Sequence, residues 1–536
     1  MEWIKKNKTL LIILAIIVLG NIWLIMKGMP YQHDGDFHSS RLLSLANSIK
    51  NHDFLALIHD GYYGFGYANG IFYSNFFLYI NAFLINLGMS TMLSYKLLNV
   101  FITIGTVLSI YFVSKSISKD KKISVLITIL YTFSLYRMVD VCVRSALGEM
   151  LAFMIIPIVF LGLYEIVYRD YKKWYIFTIG FVLLLLCHLI TSFLMAMFVV
   201  IFLLCNIKVL LKDKVRIKYL LISGVVGVLL GLFFILPMLE QHQANYIQIF
   251  VDGTSIHPAD EVVSLKDFVV PTGLFSHHLG YSIILLLPIR FFIKSKDIKD
   301  KKILRCADTL FILGIIAWLS TTSLFPWKVF GKALEFMQFP WRLLIVATTF
   351  IIFALIIYFG YLKDNKKISR YSSIVIIVLS SLACLLYTYQ YGYKNYHYKM
   401  HNENTIGGGE YLPTGVNFDT LFINGNKAVT SDNNIKITKY DKKGTSVTIK
   451  YENNVDDAYI EIPLFNYLGY EARGAKIENG TNSFIRLYPD SKEGTISVKY
   501  SGTKLTKISY IVSSITLVGL VTYIVIERKK KNGVSK

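Results

Sequence analysis

The sequence predicts a mainly α, polytopic membrane protein with about twelve transmembrane helices and a small extracytoplasmic β domain near the C-terminus. Three observations carry that expectation. The 536 residues are 54% hydrophobic and only 17% charged, with a mean hydropathy of +0.49, which is too apolar for a soluble chain of this length. Apolar runs close to the roughly 20 residues that cross a bilayer recur along the chain. Short clusters of Lys and Arg separate those runs, as the positive-inside pattern requires.

The same clusters account for the net charge of +21 without nucleic acid as a partner, because they form no basic patch among stacking aromatics. Of the five cysteines, Cys187, Cys205, Cys306 and Cys384 sit inside apolar runs and Cys142 near a loop. That scatter supports neither a disulfide framework nor a cysteine metal site.

Taken in order, Lys5, Lys6 and Lys8 precede an apolar run from Thr9 to Met26 with no small-residue cleavage site after it, so a retained first helix with a cytoplasmic N-terminus is expected. Further spans are expected near 94–114, 123–138, 149–168, 174–190, 191–211, 219–238, 278–293, 304–323, 342–362, 372–389 and 507–527. The apolar piece from Ile71 to Leu87 decides the topology. Its Tyr73, Ser74, Asn75, Tyr79 and Asn81 suit the headgroup region. Only if it stays interfacial do the later basic clusters (Lys115 to Lys122, Arg169 to Lys173, Lys212 to Lys218, Lys294 to Arg305, Lys363 to Arg370, Arg528 to Lys531) all fall inside. A first external loop at 28–93 follows.

Within that loop Phe37, Leu42, Leu45, Ala46 and Ile49 recur at helical spacing, predicting an amphipathic helix from about Phe37 to Lys50 capped by Asp36. The long run from Trp174 to Leu211 is split at Cys187 to Ser192, placing His188 in an external turn, and Glu240 to His278 and Phe325 to Trp341 form further external loops. From Gln390 to about Thr506 polar residues dominate. Period-two strands appear at Val447–Tyr451, Tyr459–Ile462 and Ile496–Tyr500. The domain division expected is therefore a membrane domain at 1–389, an external β domain at 390–506, and a last helix with a basic cytoplasmic tail at 507–536.

Chemistry concentrates in three places. The first is His33, Asp34, Asp36 and His38, costly ionisable groups at the mouth of an apolar protein. Asp34 stands one step outside the expected helix and is the candidate general base; the bland reading is a turn aspartate before Gly35. Asp36 is a second candidate, with capping as its alternative, and the four together are the candidate set for a divalent cation. The second is Arg137, Asp140, Arg144 and Glu149. Continuous helical spacing puts the first three on one face as a self-contained Arg-Asp-Arg cluster, while surplus positive charge would suit a phosphate. The third is Arg342 after Gln338-Phe339-Pro340-Trp341, an interfacial anchor or a neutraliser of a lipid phosphate. His188 is a weaker candidate of that kind. No phosphate-cradling glycine loop, nucleophile elbow or HExxH motif is present.

These features resemble the GT-C superfamily of integral membrane glycosyltransferases. More specifically, Asp34-x-x-Phe37-His38-x-x-Arg41, Arg144-x-x-x-Gly148-Glu149, Gln338 to Arg342 and Gly409-Glu410-Tyr411-Leu412-Pro413 look like bacterial membrane proteins with the domain labelled "6-pyruvoyl-tetrahydropterin synthase related". Nothing in the residues suggests pterin chemistry. The resemblance implies a GT-C-like membrane fold and inverting transfer from a polyprenyl-phosphate-linked sugar to a cell-envelope acceptor on the external face. It implies Asp34 as the acid of the first loop; the reading of the residues themselves adds Asp36 and Glu149 as catalytic candidates. Arg144, Arg342, Arg137 and His188 become candidates for the donor phosphate. One departure is that Ile71 to Asn75 stands where some members carry a run of prolines, which leaves the acceptor class open. A lipid or glycan transporter and a non-catalytic scaffold are the alternatives; the expected partners are the lipid-linked donor, the acceptor and membrane lipids, and the expected location is the cell membrane with both termini cytoplasmic.

Overall fold

The computed structural model describes residues 2–25, 29–30, 33–244, 247, 256–270, 277–294, 298, 301–394, 396–398 and 409–533. Much of the loop expected at Glu240 to His278, part of the Lys294 to Arg305 cluster, and Tyr31 and Gln32 lie outside the described residues. The protein is mainly helical with a β region toward the C-terminus. Six described helices are long and apolar enough to cross a membrane: Thr91–Ser118, Leu147–Tyr168, Lys214–Ala244, Pro340–Leu362, Lys366–Tyr391 and Lys504–Lys530. A bent pair, Lys121–Thr132 and Leu135–Arg144, makes a seventh if counted as one span.

Other expected spans are shorter or broken, for reasons visible in the residues. The long run after Trp174 becomes helices Tyr175–Cys187 and Leu189–Cys205, parted at His188, whose extended backbone (φ −159, ψ 113) interrupts the helical ladder. The segment at 278–293 is two short turns, Tyr281–Ile284 and Leu287–Phe292, with Pro288 opening the second. Lys301–Leu319 is a single helix. Its Asp308 pairs with Arg290 at 2.5 and 2.9 Å and accepts from the Tyr358 hydroxyl at 2.7 Å.

The chain divides into two compact units. The first comprises Met1–Gly35, Lys96–Val228 and Ile256–Lys399; the second comprises Asp36–Tyr95, Leu229–Ser255 and Met400–Lys536. In the first unit the centre is the helix Leu343–Leu362, apolar on every side and buried almost throughout. It packs on Lys301–Leu319, where Gly314 lets Ile351 and the Ala347 carbonyl approach. Leu147–Tyr168 packs on Tyr175–Cys187 more tightly still, for a Cβ on Gly162 would fall 2.2 Å from the Phe177 backbone nitrogen. Local starts are set by side chains: Asp120 accepts from the Ile123 amide, and Asn365 from that of Ile368.

In the second unit the helix Gly35–Lys50 buries Leu42, Leu45, Ala46 and Ile49, four of the five residues whose spacing predicts it, while Phe37 is partly buried. It begins at Gly35, so Asp36 occupies its first turn rather than the capping position. The apolar piece after Asn69 is broken into Asn69–Phe72, Phe76–Leu78 and Tyr79–Asn86, none long enough to cross a bilayer. The β region is two four-stranded antiparallel sheets. One orders the strands 435–443, 446–453, 493–500 and 470–473; the other orders 429–430, 460–465, 484–489 and 475–479. The strict alternation of Ser446–Asn453 puts Val447, Ile449, Tyr451 and Asn453 inside, where the first three join Ile460, Ile485, Leu487, Ile496 and Val498 in one core. Phe65 and Tyr67 of the early loop pack with Phe465 and Phe484 in a second core.

Candidate functional site

The first unit gathers Asp34, Arg144, Glu149 and Arg342 around one buried carboxylate. The geometry starts from a failed helix. After Thr132 the backbone of Ser134 turns extended, the next helix Leu135–Val139 widens into a π-helical turn Asp140–Arg144, and Ser145 takes a left-handed conformation (φ 53). The chain then re-enters a helix at Leu147, with Glu149 in its first turn, where the peptide dipoles favour an anion. Arg144 and Glu149 thus face each other across a chain reversal.

Glu149 is the hub. Its Oε1 receives Arg144 Nη1 at 3.2 Å and pairs with Arg342 Nε at 3.5 Å, while Oε2 accepts from the Tyr136 hydroxyl. Arg144 Nη1 also bonds Asp140 Oδ1 at 2.7 Å. Arg342 arrives from a different break. Gln338 has φ 64 and ψ −57, with the Phe339 amide donating to the Met337 carbonyl at 2.7 Å, a strained γ-turn. Pro340 then opens the turn that leads into the central helix. The turn is held by Arg342 itself, whose Nη1 donates to the Met337 carbonyl at 3.0 Å and to Gln338 Oε1 at 2.8 Å.

Asp34 is delivered by its backbone: its amide donates to the Arg144 carbonyl at 2.8 Å, and the amide of His33 to the Val143 carbonyl at 3.4 Å. Burial raises the Asp34 carboxyl above the usual carboxylate range, while Arg144 and Arg342 pull it back. No hydrogen bond to its side chain occurs among the described residues. Arg342 Nη2 and Arg144 Nη2 likewise make none. The site therefore holds two guanidinium groups with unused donors, their charges matched by Glu149 and Asp140, with the Asp34 carboxyl as a further acid beside them.

No family model and no curated protein matches the chain.

Other sequence candidates are placed differently. Arg137 is buried but turns away, donating to the Thr132 carbonyl at 2.8 Å and toward Thr103 Oγ1 at 3.4 Å. The Arg-Asp-Arg cluster expected from continuous helical spacing reduces to the Asp140–Arg144 pair, because the π turn rotates the face after Val139. His188 bonds Thr191 Oγ1 at 2.8 Å and lies within electrostatic reach of Glu149. Asp36 belongs to the other unit, where its carbonyl accepts from Ser39 Oγ. His38 there contacts Arg41 at 3.3 Å and the rings of Phe37 and Tyr73. His33, Asp34, Asp36 and His38 do not form a metal-holding group, nor do any three or more His, Cys, Asp or Glu among the described residues. Sequence reasoning missed Tyr136, the third support of Glu149, and His277, whose ring stacks on Trp341 at 4.1 Å. Neither falls in a motif; the only signal for His277 is its position at the end of an expected external loop.

Proposed function

We propose that the protein is a membrane glycosyltransferase that moves a sugar from a polyprenyl-phosphate donor to a hydroxyl of a cell-envelope acceptor, such as a glycolipid, polymer or protein. The observation that carries this reading is that the Asp34 carboxyl lies within electrostatic reach of the partly unsatisfied guanidinium groups of Arg144 and Arg342. The likeness of the short motifs to GT-C enzymes points the same way. In this reading the donor phosphate takes the open donors of the two arginines, which Glu149, Asp140 and Gln338 hold in place. Asp34 accepts the proton of the acceptor hydroxyl as its oxygen bonds to the anomeric carbon on the face opposite the phosphate. The anomeric carbon–phosphate oxygen bond breaks, and the arginines stabilise the charge that collects on the departing lipid phosphate. Configuration inverts, and no step calls on a metal ion.

The same reading takes the chain as a multi-pass protein of the cell membrane with about twelve spans, counting the shorter and broken helices, and with both termini cytoplasmic. The consistent placement of the basic clusters supports that topology. The β region would then stand outside, where an acceptor arrives.

The test is transfer of a labelled sugar from a synthetic polyprenyl-phosphate donor into cell-envelope fractions. Asp34→Asn is expected to lower the rate about 10²- to 10⁴-fold with an unchanged melting temperature. Equal transfer by both proteins removes Asp34 from the chemistry. Binding of the lipid donor by the wild type with no transfer by either would instead assign a carrier or a scaffold.

A further inference from the structure

His277 is unused by the mechanism above, and its setting is unusual. Its imidazole lies parallel to the Trp341 indole, centroids 4.1 Å apart and planes 6° from parallel. The Arg144 guanidinium sits 4.4 Å from the same indole, so one tryptophan carries both the imidazole and an arginine of the anion site. Phe339 stacks on Trp341 as well, at 4.7 Å, which fixes the platform from the turn that delivers Arg342. Stacking leaves an imidazole's nitrogens at the ring edge, available in the plane. Yet Nδ1 of His277 is buried with no hydrogen-bond partner among the described residues. Buried polar atoms are seldom left so, and each such exception asks for a ligand or a role.

We infer that His277 recognises the glycosyl unit of the donor, accepting a hydrogen bond from a sugar hydroxyl while Arg144 and Arg342 hold the attached phosphate. This assignment rests on the glycosyl-transfer reading and names the group that distinguishes a sugar-bearing lipid phosphate from a bare one. The chemistry fits a hydroxyl better than a second phosphate oxygen. Burial, reinforced by the Arg144 charge, holds the imidazole pKa down to about 3, so the ring is neutral at physiological pH. A neutral imidazole offers one acceptor and one donor, the complement of an alcohol, and has no charge to spend on an anion. The arginines supply charge and the histidine supplies discrimination, because a site built to hydrogen-bond a hydroxyl leaves its own polar atom stranded when the hydroxyl is missing.

The experiment compares binding of two probes to the full-length protein in detergent: a polyprenyl phosphate alone, and the same lipid phosphate carrying glucose, mannose, galactose or N-acetylglucosamine. The variant is His277→Phe, which keeps a ring against Trp341 and removes both nitrogens; His277→Gln restores a polar acceptor. Wild type is expected to bind at least one sugar-bearing lipid more tightly than the bare one. His277→Phe should weaken that complex about 3- to 10-fold, the range of one neutral hydrogen bond, leave the bare lipid phosphate unchanged, and be partly rescued by His277→Gln. Equal weakening of both probes, or of neither, overturns the assignment. Bare lipid binding that is unchanged in Arg144→Ala and Arg342→Ala overturns the phosphate reading instead, and the assignment with it.

Discussion

Two sets of buried arginines meet the same desolvation problem in opposite ways. In the first unit Arg144 and Arg342 share the Glu149 carboxylate, and Asp140 adds a second acceptor for Arg144. In the second unit Arg41 is 1% exposed and has no carboxylate partner among the described residues. Its Nη2 faces three neutral acceptors, the Tyr73 carbonyl at 3.2 Å, the Ser74 carbonyl at 3.0 Å and Asn75 Oδ1 at 3.4 Å. Its Nη1 meets His38 Nδ1, and its guanidinium plane lies 3.9 Å from the Tyr73 ring. Burial pushes Arg41 down to about 10, still charged near neutrality. The contrast separates a tie from a site. Arg41 spends Nη2 on the 73–75 turn and Nη1 on His38 of its own helix, and so fastens the helix Gly35–Lys50 to that turn. The Glu149 cluster leaves the terminal nitrogens Arg144 Nη2 and Arg342 Nη2 without a hydrogen bond among the described residues, whereas Arg41 uses both of its terminal nitrogens and leaves only its buried Nε so.

The largest effect that would sharpen this difference is expected from Glu149→Ala. It removes the shared counter-charge, strands the Arg342 guanidinium in a buried setting and leaves Arg144 with Asp140 alone, and deleting one partner of a buried pair costs about 3–5 kcal/mol. Thermal unfolding of the detergent-solubilised protein should show a clear drop, and Glu149→Gln, which keeps a partner for Tyr136, a smaller one. An unchanged melting curve for Glu149→Ala would mean that the arginines are compensated elsewhere, and the hub assignment would fall.

Arg41→Lys comes next. A lysine keeps the charge but loses the planar fork that joins the 73–75 turn to His38 and lies on Tyr73, so a loss of about 2 kcal/mol is expected. Binding of a polyprenyl phosphate should be untouched. If Arg41→Lys abolished that binding while sparing stability, the distinction between tie and site would be reversed.

How far these arrangements can be read from sequence depends on whether local pattern or chain breaks set them. The helix Gly35–Lys50 follows from the spacing of Leu42, Leu45 and Ile49, and the strand Ser446–Asn453 from alternation, because burial of one face imposes the period directly. The parting at His188 follows from the length of the run from Trp174. Arg144, Glu149 and Arg342 are visible as costly charges beside apolar segments, which singles them out whatever their partners. Arg137 is misplaced by the same reasoning, since counting i, i+3 and i+7 presumes an unbroken helix and the π turn at Asp140–Arg144 breaks it. Tyr136 and His277 owe their places to contacts across the fold, and no spacing rule reaches those. Asp36 is a further instance: one residue past Gly35 already puts it inside a helix, while Asp34 remains in the turn that is pinned to Arg144.

The smallest effect concerns the second unit's polar core and its response to acid. Asn75 Nδ2 donates to the Ala56 carbonyl at 3.2 Å and to His59 Nε2 at 2.8 Å, so His59 serves as an acceptor and its ring must be neutral. Burial, with the Arg41 charge adding to it, holds the folded-state pKa down to about 3, against an ordinary value of 6.5. With the folded value depressed, the unfolded chain takes up the proton first as pH falls below 6.5, so stability declines from there until the folded pKa is reached. Between pH 7 and 5.5 that amounts to about 1 kcal/mol for one such group. His277 adds a parallel dependence in the first unit, so the quantity to measure is the difference in melting temperature between wild type and His59→Gln at each pH. Glutamine can accept from Asn75 without titrating; the difference should shift in favour of the variant as the solution is acidified. A constant difference across that range would mean that the His59 pKa is the same folded and unfolded, and Arg41 would then face no neutral, acid-sensitive neighbour in its core.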